Sequence, residues 1–332
     1  MIKKFLRDAR HFIRIHLIDH SKILTILNQQ RIKREQEAAY IRHQTMSYSE
    51  IESEVGNTYE RIFNRKLNWD NPQTYNEKIN VSKVYMATPE KTRLADKYLV
   101  REWIREKIGD KYLIPLLDVY DSFDEINFDS LPDKFVIKCN HDSGSVTFCR
   151  DKSKINIPAL KIKYDYLLKR NYAWGSFEMH YRDIKPKILI EKYIDVPINE
   201  FKFHCFGGKP HFCCVTFGQR NVDFSVNYYD MEYKLMPFIR PNRKKFSGVS
   251  HRPAQYDELK NIASELCKDF DQVRVDLYLA QGTIYSGEMT FTDSTGSSKF
   301  VPDEWDYKFG ALWPFDNEVR KKILAAHSSP LN

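Results

Sequence analysis

Two stretches constrain the class of structure more than any others. FKFHCFGGKPHFCCVTF (201–217) and VRVDLYLAQGTIYSGEMTF (273–291) each read as two aliphatic or aromatic runs joined by a short glycine turn. Such pairs fold as hairpins, and hairpins build antiparallel sheets. FVIKC (135–139) and VTFC (146–149) flank HDSGS in the same manner, while YLIPLLDVY (112–120) and KILIEKYID (187–195) read as single strands. Helix candidates lie between them. LADKYLVREWIREKIG (94–109) contains no proline, ends at Gly109 and reads as one helix. YDELKNIASELCKDF (256–270) places Leu259, Ile262, Ala263 and Leu266 on one face. Residues 218–256, rich in Arg, Asn and Pro, read as loop. Strand pairs interleaved with helices, without regular βαβ units, predict an α+β protein rather than a doubly wound parallel sheet.

The second hairpin poses a chemical question. Arg274, Asp276, Glu288 and Thr290 sit among side chains that should be half-buried, and a carboxylate taken from water needs a partner: a cation, water or a metal. Side chains alternate along a strand. A two-residue turn at Gln281-Gly282 sets Asp276 opposite Gly287 and turns Glu288 away. A three-residue loop sets Asp276 and Glu288 directly opposite each other, which is unfavourable unless a cation lies between them. The sequence leaves both open. Lys138, at the end of an apolar strand beside the small-residue turn Ser143-Gly144-Ser145, suits either a phosphate cradled by backbone N–H groups or an ordinary surface position. No GK[ST] follows, so this is not a Walker loop. Glu191-Lys192-Tyr193-Ile194 ends an apolar strand, as a plain strand end or as a backbone edge for a purine, and Lys202 is a second strand cation.

Composition narrows the class further. The chain has 332 residues, 42% of them hydrophobic, with only 12 Gly and 14 Pro, so a sizeable core fits and low complexity does not. A net charge of +7 suits a nucleotide, an acidic glycan or a membrane surface. No zinc-finger or RNP-type signature points to nucleic acid. The six cysteines form no CxxC pair and several lie in apolar runs, so reduced thiols and a cytoplasmic setting are expected. At the N-terminus, charges interrupt every apolar stretch, which fits neither a secretory signal nor a spanning helix. Ile2, Phe5, Leu6, Ala9, Phe12, Ile13 and Leu17 recur at helical spacing opposite Lys3, Lys4, Arg7, Arg10 and Arg14. Such a helix suits either peripheral contact with the inner face of the plasma membrane or packing on protein.

Taken in order, the strand lysine, small-residue turn, Glu-Lys-hydrophobic hinge, second strand lysine and RxD…ExT hairpin resemble the ATP-grasp superfamily. The closer resemblance is to the TupA-like ATP-grasp family, linked to teichuronopeptide and capsular polysaccharide synthesis. TYNEKIN, LADKYLVREWI, GDKYLIPLL, DSFDEINFDSLPDKFVIKCNHDSGS, FKFHCFGGKP and VRVDLYLAQGTIYSGEMTFT carry it, over about residues 70 to 315. The resemblance implies an ATP-grasp fold, two α+β lobes clasping ATP between antiparallel sheets. It implies a pre-grasp region at 66–115, a first lobe with the lid at 116–190 and a second lobe with the metal hairpin at 191–320; outside it, residues 1–65 read as a basic helical segment and 321–332 as a tail. Lys97, Lys138 and Lys202 would meet phosphates beneath the Ser143-Gly144-Ser145 turn, with the 138–149 hairpin as lid. Glu191, Lys192, Tyr193 and Ile194 would hold adenine, and Glu200 or Asp195 the ribose. Asp276, Glu288 and Thr290 would hold Mg²⁺, with Thr290 standing where such families usually carry Asn. Arg274 would steady an acyl phosphate.

The activity implied is carboxylate–amine ligation. A carboxylate attacks the γ-phosphate of ATP, and an amine then displaces phosphate from the acyl phosphate. Charge stabilisation and positioning carry such chemistry, so lysine, arginine and Mg²⁺ are needed rather than a nucleophile. The family suggests a uronic-acid carboxylate on a glycan or its precursor, and an amino acid or amino sugar as amine, with contact to polysaccharide assembly enzymes or membrane. His204, Arg220, Arg240, Ser294 and Ser297 are the candidate substrate contacts. Rival readings are a glycosyltransferase using Asp269-Phe270-Asp271 as a DxD, a glycan kinase on the same fold, and a membrane scaffold. A hydrolase has little support, since no GxSxG occurs and His141 beside Cys139 is only a sequence neighbour.

Overall fold

The computed structural model describes residues 34–218 and 223–326. The basic amphipathic stretch at the N-terminus and Arg220 lie outside them. By internal contacts the chain divides into a unit ending at Ile51 (with 329–332) and a larger unit, Glu52–Ser328. Among the described residues no helix is long and apolar enough to cross a membrane, and all six cysteines are buried free thiols.

Among the described residues nine strands form two sheets, and every strand pair is antiparallel, as the hairpins require. The first sheet has the order β1–β4–β2–β3, from β1 (Leu116–Tyr120), β2 (Phe135–Cys139), β3 (Thr147–Cys149) and β4 (Ile188–Lys192). The second runs β7–β6–β5–β8–β9, from β5 (Ile198–Phe206), β6 (Lys209–Phe217), β7 (Ser225–Asp230), β8 (Gln272–Ala280) and β9 (Thr283–Thr290). β7 corrects the expectation of a continuous loop over 218–256. SVNYYD is short, and its alternation is hidden among polar neighbours, but Phe212–Phe217 of β6 pair with it along its whole length.

Strand periodicity sorts the second sheet into two faces. Phe201, Phe203, Val273, Val275 and Leu277 point one way and pack on Leu259, Ile262, Ala263 and Leu266 of a helix, Tyr256–Cys267. Each large side chain fully buried there contributes about 1.5–3 kcal/mol. Phe206, Phe212, Val226 and Tyr228 point the other way, onto α1 (Tyr75–Tyr85) and the Phe300, Phe309 and Trp313 side chains. α1 is buried all round, and a capping box fixes its start: Thr74 Oγ1 accepts from Glu77 N–H, and the Glu77 carboxylate accepts from Thr74 N–H at 2.9 Å.

The single helix expected over 94–109 is instead two, α2 (Pro89–Ala95) and α3 (Val100–Ile108). The break has a local cause. Asp96 Oδ1 accepts from the N–H groups of Tyr98 (2.7 Å) and Leu99 (3.2 Å), so its side chain competes with helical bonding and starts a new turn. Lys97 stands in that break, with its own N–H donated to Asn140 O at 3.1 Å.

Candidate active site

The hairpin question has an answer that neither simple loop supplies. The turn is the two-residue Gln281-Gly282, both at positive φ (46° and 85°), and Ala280 faces Thr283. Regular pairing then continues to Leu277 opposite Ser286. There the register slips by one residue, and Asp276 pairs with Glu288. The extra residue is Gly287, a β-bulge. A Cβ on it would lie 2.9 Å from Asp276 O and 3.0 Å from the Tyr278 ring, so only glycine fits without displacement.

With the register so set, two adjacent rungs cross the sheet on one face. One runs Cys214–Lys202–Asp276–Glu288 and the next Phe212–His204–Arg274–Thr290. Alternation on β5 adds Glu200 to that face. The buried Asp276 carboxylate accepts from Lys202 Nζ and from Arg274 Nε, each at 2.6 Å. Lys202 also lies 3.1 Å from Glu200. Arg274 Nη2 reaches Glu288 Oε1 (3.0 Å) and Thr290 Oγ1 (3.1 Å), and Thr290 Oγ1 donates to Glu288 Oε1 at 3.0 Å. Burial acts to raise the Glu288 carboxyl, yet the Arg274, Lys202 and Lys97 charges hold it at about 2. Burial of Asp276 pushes in the same upward direction and there outweighs Arg274 and Lys202.

Asp293, which the sequence reading passed over, closes this network. It is 2% exposed and accepts from Arg240 Nη1 at 2.6 Å on one oxygen and from Arg274 Nη1 on the other. The two arginines hold its carboxyl well below the usual range against the effect of burial. Arg240 also donates to Ser298 O at 3.3 Å and lies over the Phe300 ring at 4.8 Å. Just after Asp293 in the chain, Ser294 and Ser297 form a tight turn, with Ser294 at φ 50° and Ser297 Oγ donating to Ser294 O at 2.7 Å. His204 is stacked on Phe212 with ring centroids 4.1 Å apart, and burial pushes its pKa down to about 3.

The first sheet presents the facing groups. Val136 pairs with Glu191 and Lys138 with Leu189, so Lys138 and Glu191 are diagonal neighbours on one face. Lys138 Nζ lies 2.6 Å from Glu191, whose other oxygen takes Arg101 of α3 at 3.2 Å. Arg101 was not anticipated either. Lys97, Lys138, Glu191 and Arg101 line one side of a cleft, and Tyr278, Ser286 and Gly287 line the other. The Lys97 ammonium donates to Asp142 O, and burial lowers its pKa. The 140–146 turn is tied at both ends: Ser145 Oγ accepts from Cys139 N–H at 2.9 Å and donates to Asp142 at 2.6 Å, and Tyr164 donates to Ser145 O. Only Ser143, Gly144 and Val146 stand exposed, with Gly144 at φ 93°.

At the end of β4, Lys192 N–H donates to Pro115 O at 2.9 Å; beyond it Tyr193 accepts from Arg150 at 3.0 Å, and Tyr193 and Ile194 are half-buried. Asp195 is exposed and paired with Lys134. The Asp269-Phe270-Asp271 triplet sits in the turn before β8. Phe270 is core, Asp269 pairs with Lys107 at 3.0 Å, and the Phe270 and Asp271 carbonyls accept from Gly208 and Gly207. From Asp271, β8 must run five residues, about 17 Å, to reach Asp276. Cys139 and His141 do not form a couple, since the imidazole bonds Asn140, Leu167 and Arg170 instead.

Asp276, Glu288 and Thr290 offer hard oxygen donors on neighbouring strand positions. Mg²⁺ commonly uses one or two carboxylates and completes its shell with phosphate oxygens and water at about 2.1 Å, so this donor set fits it. Among the described residues no third acid, histidine or cysteine joins to make a metal cage without a ligand.

The model of the TupA-like ATPgrasp family matches residues 77–313, more than half of the chain. No curated protein matches. Among solved structures, D-alanine–D-alanine ligase from Helicobacter pylori is 16% identical with TM-score 0.36, covering 67% of this chain and 61% of its own. The Bacillus anthracis D-alanine–D-alanine ligase complexed with ATP is 18% identical with TM-score 0.39, over 70% and 68%. L-amino acid ligase from Bacillus licheniformis is 12% identical with TM-score 0.41, over 72% and 53%. The chain therefore spans less than two thirds of the Helicobacter and Bacillus licheniformis proteins.

Proposed function

This chain belongs to the TupA-like ATP-grasp family, and from that membership we propose that it is an ATP-dependent ligase joining a carboxylate to an amine through an acyl phosphate. The observation that carries the reading is the opposed Asp276–Glu288 pair, made by the Gly287 bulge and flanked by Lys202 and Arg274. The cleft with Lys97, Lys138 and Glu191 lies against the same hairpin.

ATP would enter that cleft with adenine towards 191–194 and phosphates towards Lys97, Lys138 and Lys202. Each lysine already has an anionic or carbonyl partner in Asp142 O, Glu191 or Asp276. Phosphate oxygens would therefore exchange with those partners rather than meet bare charges. Asp276, Glu288 and Thr290 would hold Mg²⁺, which supplies positive charge to the transferring phosphoryl group. Released from Asp276, Lys202 stays on the same rung to neutralise phosphate charge. Arg274, fixed by Asp293, keeps donors near the carboxyl and phosphoryl oxygens as charge builds on them. No side chain need form a covalent bond. The acceptor is read as a uronic-acid carboxylate of a surface polysaccharide or its precursor, and the amine as an amino acid or amino sugar.

Two measurements test this. Mg²⁺ with ATP should raise the melting temperature, and Asp276→Asn should remove the rise. Phosphate release should then require ATP, a polyuronate and an amine together. Phosphate retained on the glycan would make the protein a kinase, and a thermal response to sugar nucleotides alone would refute the ligase.

A further inference from the structure

Glu178 is a buried carboxylate without an ion pair. It stands at the start of the short turn Met179–Tyr181 and is 4% exposed. One carboxylate oxygen accepts from Ser176 Oγ and the other from Thr292 Oγ1. Among the described residues no cation stands within salt-bridge distance of it. The Lys83 charge of α1 acts on it, but the Lys83 ammonium donates to Thr295 O at 3.1 Å. Buried carboxylates are normally paired. An ionised one offers about four acceptor sites, and the two hydroxyls fill only two. Glu178 therefore keeps capacity for a cation. On the same turn His180 is 2% exposed, and its Nε2 has no partner among the described residues, a second buried polar atom left for a ligand or water.

The hairpin sets where this carboxylate lies. Met289 and Phe291 turn into the core, so alternation puts Thr290 and Thr292 on the opposite face, that of Asp276 and Glu288. Thr290 Oγ1 bonds Glu288, and Thr292 Oγ1 bonds Glu178. One file of side chains thus runs from the oxygen donors proposed for Mg²⁺ to Glu178, with Thr292 two residues, about 7 Å, past Thr290. Tyr172 and Tyr181 meet edge to face with ring centroids 5.0 Å apart. The charges of Glu178 and Glu288 act on both phenols, and the Tyr172 hydroxyl engages Ser143 in the exposed part of the 140–146 turn. The tyrosine pair therefore lies near both carboxylates and against the turn that would cover the phosphates.

We infer that Glu178 receives the amine co-substrate: its carboxylate binds the ammonium and takes the proton that must leave before the nitrogen attacks. The inference rests on the ligase reading and supplies the residue for its second half-reaction. In that step an ammonium N–H bond breaks and the proton passes to Glu178. The freed electron pair forms the C–N bond to the acyl carbon, the bond from that carbon to the phosphate oxygen breaks, and phosphate leaves with its electrons. The second proton of the nitrogen departs with phosphate. Thr292 and Ser176 fix the carboxylate, and Tyr172 and Tyr181 add aromatic surface that favours a cation. Glu178 repels a second carboxylate, so this end of the file suits the amine and not the acid. Burial raises the Glu178 carboxyl, which makes it a stronger base than an exposed glutamate.

Two small nucleophiles of similar size test this on the full chain. Near neutral pH ammonium is protonated and hydroxylamine is largely free base, so only the first needs a proton acceptor. With Mg²⁺, ATP and polygalacturonate, the wild type should form amide from ammonium chloride and hydroxamate from hydroxylamine. Glu178→Gln should keep hydroxamate formation within about threefold and lose amide formation about hundredfold or more, and Glu178→Asp should recover part of the loss. The hydroxamate rate also reports that the variant is folded. Should Glu178→Gln fail to fold, Thr292→Val, which keeps the carboxylate but loosens it, should show the same split at about tenfold. A folded variant that loses both products equally, or keeps both, would overturn the assignment. Absence of hydroxamate from the wild type would instead remove the ligase reading, and the inference with it.

Discussion

Asp293 and Arg240 form a buried pair whose energetics the structure makes asymmetric, and a double-mutant cycle exposes this. Asp293→Asn leaves Arg240 buried with only Ser298 O and the Phe300 ring for company. Breaking a buried pair in this way costs about 3–5 kcal/mol, a large share of a typical stability of about 5–15 kcal/mol. Arg240→Met leaves Asp293 still held by Arg274, so its cost should be nearer the loss of one charged hydrogen bond, about 1.5–3 kcal/mol. In the double variant no unpaired charge remains, because Arg274 keeps Asp276 and Glu288. It should therefore be more stable than Asp293→Asn alone, with a coupling of about 2 kcal/mol or more. Urea unfolding of the four proteins, compared through midpoint and slope, measures each corner. Additivity within about 0.5 kcal/mol, or an Asp293→Asn cost below about 1 kcal/mol, would refute this account.

Gly287→Val should lower the melting temperature by several degrees and abolish the response to Mg²⁺ with ATP, because the bulge that opposes Asp276 to Glu288 has no room for a side chain; an unchanged nucleotide response would remove the bulge from the argument. Lys138→Met should cost only about 1–2 kcal/mol, since Arg101 still pairs with Glu191, but should weaken nucleotide binding about tenfold, as calorimetry would read. The Glu288 pKa is depressed to about 2 from 4.5, so its contribution to stability is fully present above about pH 4.5 and fades as pH falls through about 2. Glu288→Gln should therefore flatten the acid limb of the stability profile in that window, and an unaltered limb in pH-dependent urea unfolding would contradict the assignment.

Much of this architecture was legible because strand alternation and glycine turns are local signals. The antiparallel sheets, the Gly207-Gly208 turn and the apolar face of Tyr256–Cys267 follow from them. What stayed hidden depends on partners distant in the chain. Asp293 looks like one more polar residue in TDSTGSS, and only Arg240, 53 residues earlier, gives it a role. The bulge was invisible for another reason: counting along the strand admits even or odd loops, and an extra residue mid-strand satisfies the parity of both. β7 escaped because SVNYYD reads as strand only once β6 lies beside it. The break at Asp96 escaped because helix periodicity is nearly indifferent to one carboxylate turning back on the backbone.

That break has a mechanical consequence centred on Asn140. This wholly buried side chain donates to Asp96 Oδ2 and Lys185 O and accepts from Lys187 N–H, while its backbone takes Lys97 N–H and donates to Lys187 O. One residue thus rivets together the helix break, the end of β2 and the approach to β4. The Lys97 ammonium also clips to Asp142 O in the adjoining turn. The turn and the lysine are therefore geared: neither travels alone, and a tug on 141–145 is delivered to Lys97 both through that clip and through Asn140.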